Sequence, residues 1–451
     1  MLRTSRCLRT CGSAATLVVA LALAPETARA DTTLVASAQS VAHELGAAPR
    51  RALVIASPLT SDVAAPRGDE LAVRMASLVA AAMGGDASAE EHATPLAAAR
   101  ARSRARSGKI SSVVYLDVRV DAGELRINAD VYPVVSNGWD RVRLAPPPPV
   151  AHAYIHAPIS AEVRSYLTPV HLERSHVTRF THDRGALLAI ACGDLDADGG
   201  SELVLVSQRE VAWGYLRDGH FVTVRRVAAS SLGGRAAVPW REPLATAQTL
   251  TSGGRGTLFV GWSDRRGASM GPELAAATHL AGLPVSLGTS VACALPNAAR
   301  GGFDSALVRC DDGKPLGGPS VGAGLPALVD GWAGLDVVRP DGSTDRFVAT
   351  RDPSDTLHLF RAGTADTLVA HDVGAQIAIA DLDQDGAPEL ITTMPRSDDA
   401  LVISSWRGGE LVPRVRFPAP AGVDAVAVCP ADLDGAPSVV AAVGSEIWLV
   451  H

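Results

Sequence analysis

Lysine, aromatic residues and long apolar runs are what this 451-residue chain has least of. Lys109 and Lys314 are its only lysines, so positive charge is carried almost entirely by arginine. With 41 basic against 48 acidic side chains the formal charge is −7, a poor match for a nucleic-acid phosphate backbone. Aromatics are 4% of the residues and apolar residues 47%, so a large core can form but must be built from Ala, Val and Leu. Charged residues, at 20%, are too few for a disordered chain. Beyond residue 30 no stretch reaches the roughly 18 apolar residues of a membrane-spanning helix, so no span is expected. The H-E-x-x-H signature of a zinc hydrolase is missing, as is C-x-x-C.

Residues 1–30 have the layout of a secretory signal. Arg3, Arg6 and Arg9 precede the mainly apolar run Ala14–Ala24, and Ala28-Arg-Ala30 is an A-x-A cleavage site before Asp31. The run is too short to cross a bilayer, and Cys7 and Cys11 precede it. Export and release to the periplasm or the extracellular space are therefore expected. Cleavage removes four Arg and one Glu, taking the formal charge from −7 to −10.

What the mature chain does have is an acidic loop written twice. Asp194-Leu-Asp196-Ala-Asp198-Gly199-Gly200-Ser-Glu202 recurs as Asp381-Leu-Asp383-Gln-Asp385-Gly386-Ala387-Pro-Glu389, 187 residues later (194 to 381). A tight loop aims its first, third and fifth residues at one point. Gly199 and Gly386 permit the backbone reversal that brings the seventh residue's carbonyl to the same place. Hard oxygen donors so arranged suit Ca²⁺, and without a cation the clustered carboxylates repel one another. An EF-hand would need a Glu at position twelve and flanking helices. Position twelve is Leu205 in one copy and Thr392 in the other, and the flanks Leu187–Ala191 and Leu203–Val206 read as buried strands. The expected unit is a Ca²⁺ loop inside a β-hairpin.

At these residues the chain resembles the FG-GAP/VCBS repeat family, the blades of integrin-α-type β-propellers, over about residues 171–451. The resemblance implies a propeller carrying Ca²⁺ in some hairpins and a role in extracellular binding or adhesion. It implies two sites: Asp194, Asp196, Asp198, the Gly200 carbonyl and Glu202, then Asp381, Asp383, Asp385, the Ala387 carbonyl and Glu389. The family's loop commonly ends in Asp, whereas both copies here end in Glu. A degenerate third copy, Ala431-Asp432-Leu-Asp434-Gly435-Ala-Pro-Ser438, is two residues shorter, lacks the fifth-position Asp and has Ser438 in place of the Glu, so it is not expected to hold metal.

Four steps across 187 residues give about 47 per blade, the usual size of a four-stranded unit. Thr249–Trp262, Val291–Arg309, and Ala327–Val338 with Thr350–Phe360 fill the intervening slots, which makes six blades, with seven left open. Trp213, Trp406 and Trp448 recur in like strands and read as packing. The chain ends on a third strand, so residues 171–180 are expected to supply the fourth and close the ring. Cys293 and Cys310 flank one hairpin. Cys192 and Cys429 precede acidic loops in the first and last blades, which closure would set side by side. Disulfides and buried free thiols both remain open.

Residues 31–145 read as a small α/β domain. A helix is expected over Thr33–Leu45, a strand over Ala52–Ser57, a helix opened by Asp69 and stopped by Gly84-Gly85, and a helix over 96–107. Ser112–Val120 and Glu124–Tyr132 then form a hairpin, and Asn137-Gly138 turns again. The sheet is expected to be mainly antiparallel. This order resembles the N-terminal domain of TolB-like bacterial envelope proteins. Arg100, Arg102, Arg104, Arg106 and Lys109 spread around their helix and read as a solvated face. Residues 146–170 form a Pro-rich linker, a strand over Ala151–Ile159 and a short helix. His152 and His156 have a helical zinc spacing, but Pro149 and Pro158 bracket them, so surface histidines are expected.

The chain is thus expected to be multidomain: a signal (1–30), a small α/β domain (31–145), the linker (146–170) and an all-β propeller of six or seven blades (171–451). The expected function is a non-enzymatic, exported Ca²⁺-binding propeller that binds a protein or glycan of the bacterial envelope, without nucleic acid. The rival readings are a propeller-based polysaccharide lyase or hydrolase, and an envelope assembly factor docking through its N-terminal domain.

Overall fold

The computed structural model describes residues 34–46, 51–61, 65–106, 109–121, 124–135, 147–167, 170–233, 243–252, 255–297, 301–316, 325–338, 344–364, 367–395, 398–407, 409–431 and 436–451. The expected signal, the expected turn at Asn137-Gly138 and the acidic positions of the third loop, Asp432 and Asp434, lie outside these residues.

The N-terminal part is a six-stranded sheet: β1 (Ala52–Ala56), β2 (Thr60–Ser61), β3 (Ser88–Ala89), β4 (Ser112–Asp121), β5 (Glu124–Pro133) and β6 (Ala151–Pro158). Helices α1 (Leu34–Leu45) and α2 (Gly68–Met83) cover one face. Leu71, Met75, Leu78 and Val79 of α2 fall at helical spacing and pack on Val54, Val114 and Leu116. Helix α3 (Leu96–Ala105) covers part of the other face, where Ala99 meets Leu53, Ile55 and Tyr115. The β4–β5–β6 meander is antiparallel, as expected. Around β1 the sheet is mixed, because β1 lies parallel to both β3 and β4. The helices between these strands supply the crossovers that parallel pairing needs. His152 and His156 lie on β6, where four residues span about 13 Å, so the zinc spacing of a helix does not apply. His152 bonds Asp130 at 2.8 Å. Arg102 and Arg106 reach Glu90, and Arg100 lies over the Tyr132 ring.

The rest of the chain forms six four-stranded antiparallel blades, I to VI. Their first strands are Leu187–Gly193, Ala245–Ser252, Leu283–Ser286, Gly331–Val338, Ile377–Ala380 and Ala425–Cys429. These six strands pack neighbour to neighbour and the last meets the first, so they are the inner wall of a closed ring. The fourth strand of blade VI is Val177–Thr181, from the other end of the propeller sequence, paired antiparallel with Glu446–Val450. The ring therefore closes by the strand exchange expected from the chain's ending, and it has six blades. Between blades the core is aliphatic, with buried indoles at the seams. Trp262 donates to the Ser207 carbonyl of blade I, and Trp332 to the Ser286 carbonyl of blade III. Cys192–Cys429 joins the inner strands of blades I and VI, and Cys293–Cys310 lies within blade III.

Candidate metal centres

Both acidic loops connect the first and second strands of their blades, Leu187–Gly193 to Glu202–Ser207 and Ile377–Ala380 to Glu389–Thr392. They lie on the same face of the ring, and their backbones repeat each other. Ala197 and Gln384, at position four, have φ of +64° and +54°, and Gly199 and Gly386, at position six, have +91° and +87°. The hydrogen bonds repeat as well. Asp194 accepts the Gly199 N–H at 3.2 Å, and Asp381 the Gly386 N–H at 3.1 Å. Asp196 and Asp383 accept from Asp198 and Asp385 at 3.2 and 3.3 Å. Asp198 and Asp385 accept the N–H groups of Gly200 and Ala387 at 2.8 and 2.9 Å.

In the first loop Asp194, Asp196, Asp198 and Glu202 each bring one carboxylate oxygen within 4.8 Å of the others. In the second, Asp381, Asp383 and Asp385 do so, and Glu389 does not belong to the group. Glu389 is fully buried; its Oε2 accepts the Leu382 N–H at 2.8 Å and its Oε1 the Ser405 hydroxyl at 2.9 Å. Glu202 makes the matching brace to the Leu195 N–H at 2.6 Å. The ninth-position Glu therefore fixes the loop backbone from below, and in the first loop it also reaches the carboxylate cluster.

Burial pushes Glu202 and Asp381 up to about 7 and Glu389 up to about 8, with neighbouring carboxylates adding to the effect. Asp196 and Asp383 rise for the same reasons. Asp194 Oδ1 and Asp381 Oδ1 are buried and receive no hydrogen bond. An undonated buried carboxylate oxygen is costly, and it recurs at the same position of both loops. A hard divalent cation fits this donor set, since it satisfies the orphan oxygen and the like-charged neighbours together.

Three groups around the loops were not singled out by sequence. Thr249 and Thr251, on the inner strand of blade II, donate to the Cys192 and Asp194 carbonyls at 2.6 and 2.9 Å and hold the first loop from the side. Gly256 lies against the same loop, where a Cβ would come 2.3 Å from the Leu195 Cα. Arg407, at the third-to-fourth-strand hairpin of blade V, reaches Asp385 at 2.6 Å. The spelling G-x-S-x-G, which marks some serine hydrolases, occurs at Gly267–Gly271 and Gly318–Gly322. Ser269 sits inside the strand Arg265–Met270 rather than on a strand-to-helix turn, so the first copy is no nucleophile elbow. The second lies outside the described residues.

No protein-family model and no curated protein matches the sequence. In shape, though not in sequence, the chain is similar to several solved structures. AofleA from Arthrobotrys oligospora aligns over 61% of this chain and 85% of its own, at 10% identity and a TM-score of 0.37. U3-55K aligns over 61% and 98%, at 10% identity and a TM-score of 0.35. The Cps50 (Swd1) β-propeller domain of Myceliophteria thermophila aligns over 74% and 94%, at 9% identity and a TM-score of 0.34. These are likenesses of general shape. The chain is a β-propeller by its own strand order and ring closure. Among the described residues no helix is long and apolar enough to cross a membrane.

Proposed function

We propose that this is an exported, non-enzymatic propeller in which Ca²⁺ pins two hairpin loops of one face, and that this face binds a protein or glycan of the cell envelope. The first ion is held by Asp194, Asp196, Asp198, the Gly200 carbonyl and Glu202. The second is held by Asp381, Asp383, Asp385 and the Ala387 carbonyl, with Glu389 bracing the loop. The FG-GAP/VCBS resemblance, the signal-like leader and two disulfides compatible with an oxidising compartment support this reading. The observation that carries it is the pair of orphan oxygens, Asp194 Oδ1 and Asp381 Oδ1, at matching places in two loops 187 residues apart (194 to 381).

Ca²⁺ supplies the positive charge that lets the clustered carboxylates stay ionised side by side in a partly buried loop, so its binding free energy is added to that of folding. Extracellular Ca²⁺ modules bind at about 10⁻⁴–10⁻³ M. At 100 times the dissociation constant each site then adds about 2.7 kcal/mol. Thermal unfolding of the mature protein in a chelator, in Mg²⁺ and in Ca²⁺ tests the proposal. A higher midpoint in Ca²⁺ alone is expected, because an all-oxygen loop of several carboxylates suits the larger ion, whereas Mg²⁺ keeps most of its waters. Equal midpoints in all three would overturn it.

A further inference from the structure

The two loops repeat each other in backbone and in carboxylates, but not in what faces them. Arg407 ends the third strand of blade V (Ala400–Arg407) and pairs with Glu410 across the hairpin. Its guanidinium lies 2.6 Å from Asp385 and 3.8 Å from Asp383, over the open side of the second cluster. Arg217 holds the same place in blade I, ending Glu210–Arg217 and pairing with His220. Yet Arg217 turns to Asp218 at 3.4 Å and stands 69% exposed. The neighbouring residue explains the difference. Arg217 is followed by Asp218, an acid that can take the guanidinium, whereas Arg407 is followed by Gly408, which has no side chain to offer.

We infer that Arg407 is a built-in competitor for the metal of the second loop, so that the two loops bind Ca²⁺ unequally and the blade V loop is the weaker. The inference rests on the Ca²⁺ reading above and concerns only how this chain sets the two affinities. An ion entering the second loop needs oxygens of Asp383 and Asp385, two carboxylates that Arg407 already faces. The hydrogen bond to Asp385 must break, and the guanidinium must swing away from a doubly charged neighbour. Half exposed, it can do so into solvent, which keeps the competition modest and sensitive to salt. Among the described residues no cation pairs with Asp194, Asp196 or Asp198 of the first loop, so there is none of these to displace. Its fourth carboxylate, Glu202, stands with the cluster, whereas Glu389 of the second loop does not. Both differences favour the first loop. The first site would then stay loaded when Ca²⁺ falls, while the second empties and hands its carboxylates back to Arg407.

Calorimetric Ca²⁺ titration of the full mature protein in about 0.1 M salt tests this, with Arg407→Gln, Arg407→Lys and Arg217→Gln as variants. In the wild type we expect two sites whose affinities differ about tenfold or more, since a unit charge near a divalent ion is worth about that much at a wet surface. Arg407→Gln tightens the weaker site about tenfold, Arg407→Lys keeps most of the handicap, and Arg217→Gln changes neither site by more than about twofold. Repeating the Arg407→Gln step in an Asp196→Ala background, where only the second loop binds, assigns the change to that loop. Unfolding midpoints in chelator, matched within the series, show that the variants are folded. An Arg407→Gln variant that is folded and leaves the weaker site unchanged overturns the inference while the metal reading stands. The absence of Ca²⁺ binding in every form sinks both.

Discussion

At the scale of the residue, the loops depend on backbone conformations that only some side chains tolerate. Gly386, at φ +87°, has nothing within 4 Å of where a Cβ would stand, so Gly386→Ala tests backbone strain alone. It should cost about 1–2 kcal/mol. Gln384 already sits at φ +54°, so Gln384→Gly should cost nothing or stabilise slightly. Urea unfolding of the two variants checks the contrast, and equal losses would contradict the left-handed assignment. The carboxyls make a second residue-level prediction. Glu202, Asp381 and Glu389 stand near 7, 7 and 8 in the folded, metal-free protein, above their ordinary values. Their protonated forms are favoured by folding. The stability they lend is full below about pH 4 and is lost as pH rises through 7 to 8. Ca²⁺ needs Glu202 and Asp381 ionised, so it reverses their share of the trend. The gain in midpoint from Ca²⁺ should therefore be larger at pH 8 than at pH 5. A gain independent of pH would mean that Glu202 and Asp381 do not meet the ion.

At the scale of the element, the seam between blades I and VI is held twice, by the exchanged strand Val177–Thr181 and by Cys192–Cys429. That disulfide spans 237 residues and Cys293–Cys310 spans 17. In the chain-entropy account the long loop is worth up to about 5 kcal/mol and the short one about 3. Cys192→Ser with Cys429→Ser should lower the unfolding midpoint in denaturant more than the Cys293→Ser, Cys310→Ser pair does. The reverse order would argue against a ring whose ends meet at that seam. The indoles at the seams belong to this scale too. Trp262 is 1% exposed and bonds across to blade I, so Trp262→Ala should cost about 3–5 kcal/mol.

At the scale of the whole molecule, the ring closure and both acidic loops could be read from sequence. They are written in strong local terms: alternating Asp, a Gly for the reversal, and a strand-like run before the first blade that pairs with Glu446–Val450. Blades II to IV were legible only as slots. Their steps are uneven, from 58 residues (187 to 245) to 38 (245 to 283), and no acidic loop marks them. Near β1, crossover helices allow parallel pairing that alternation alone does not reveal. The role of Glu389 was hidden because a ninth-position Glu satisfies the ligand pattern equally well whether it faces an ion or the Leu382 N–H beneath it. Arg407 was hidden for a similar reason, since only the fold brings the blade V hairpin over Asp383 and Asp385.

The most direct test of the account is calorimetric counting of Ca²⁺ sites in the mature protein and in Asp196→Ala, Asp383→Ala and the double variant. Each substitution removes a third-position carboxylate from one loop. The account predicts two ions bound, then one in either single variant, then none. A double variant that still takes up two ions would show that neither acidic loop is where the metal goes.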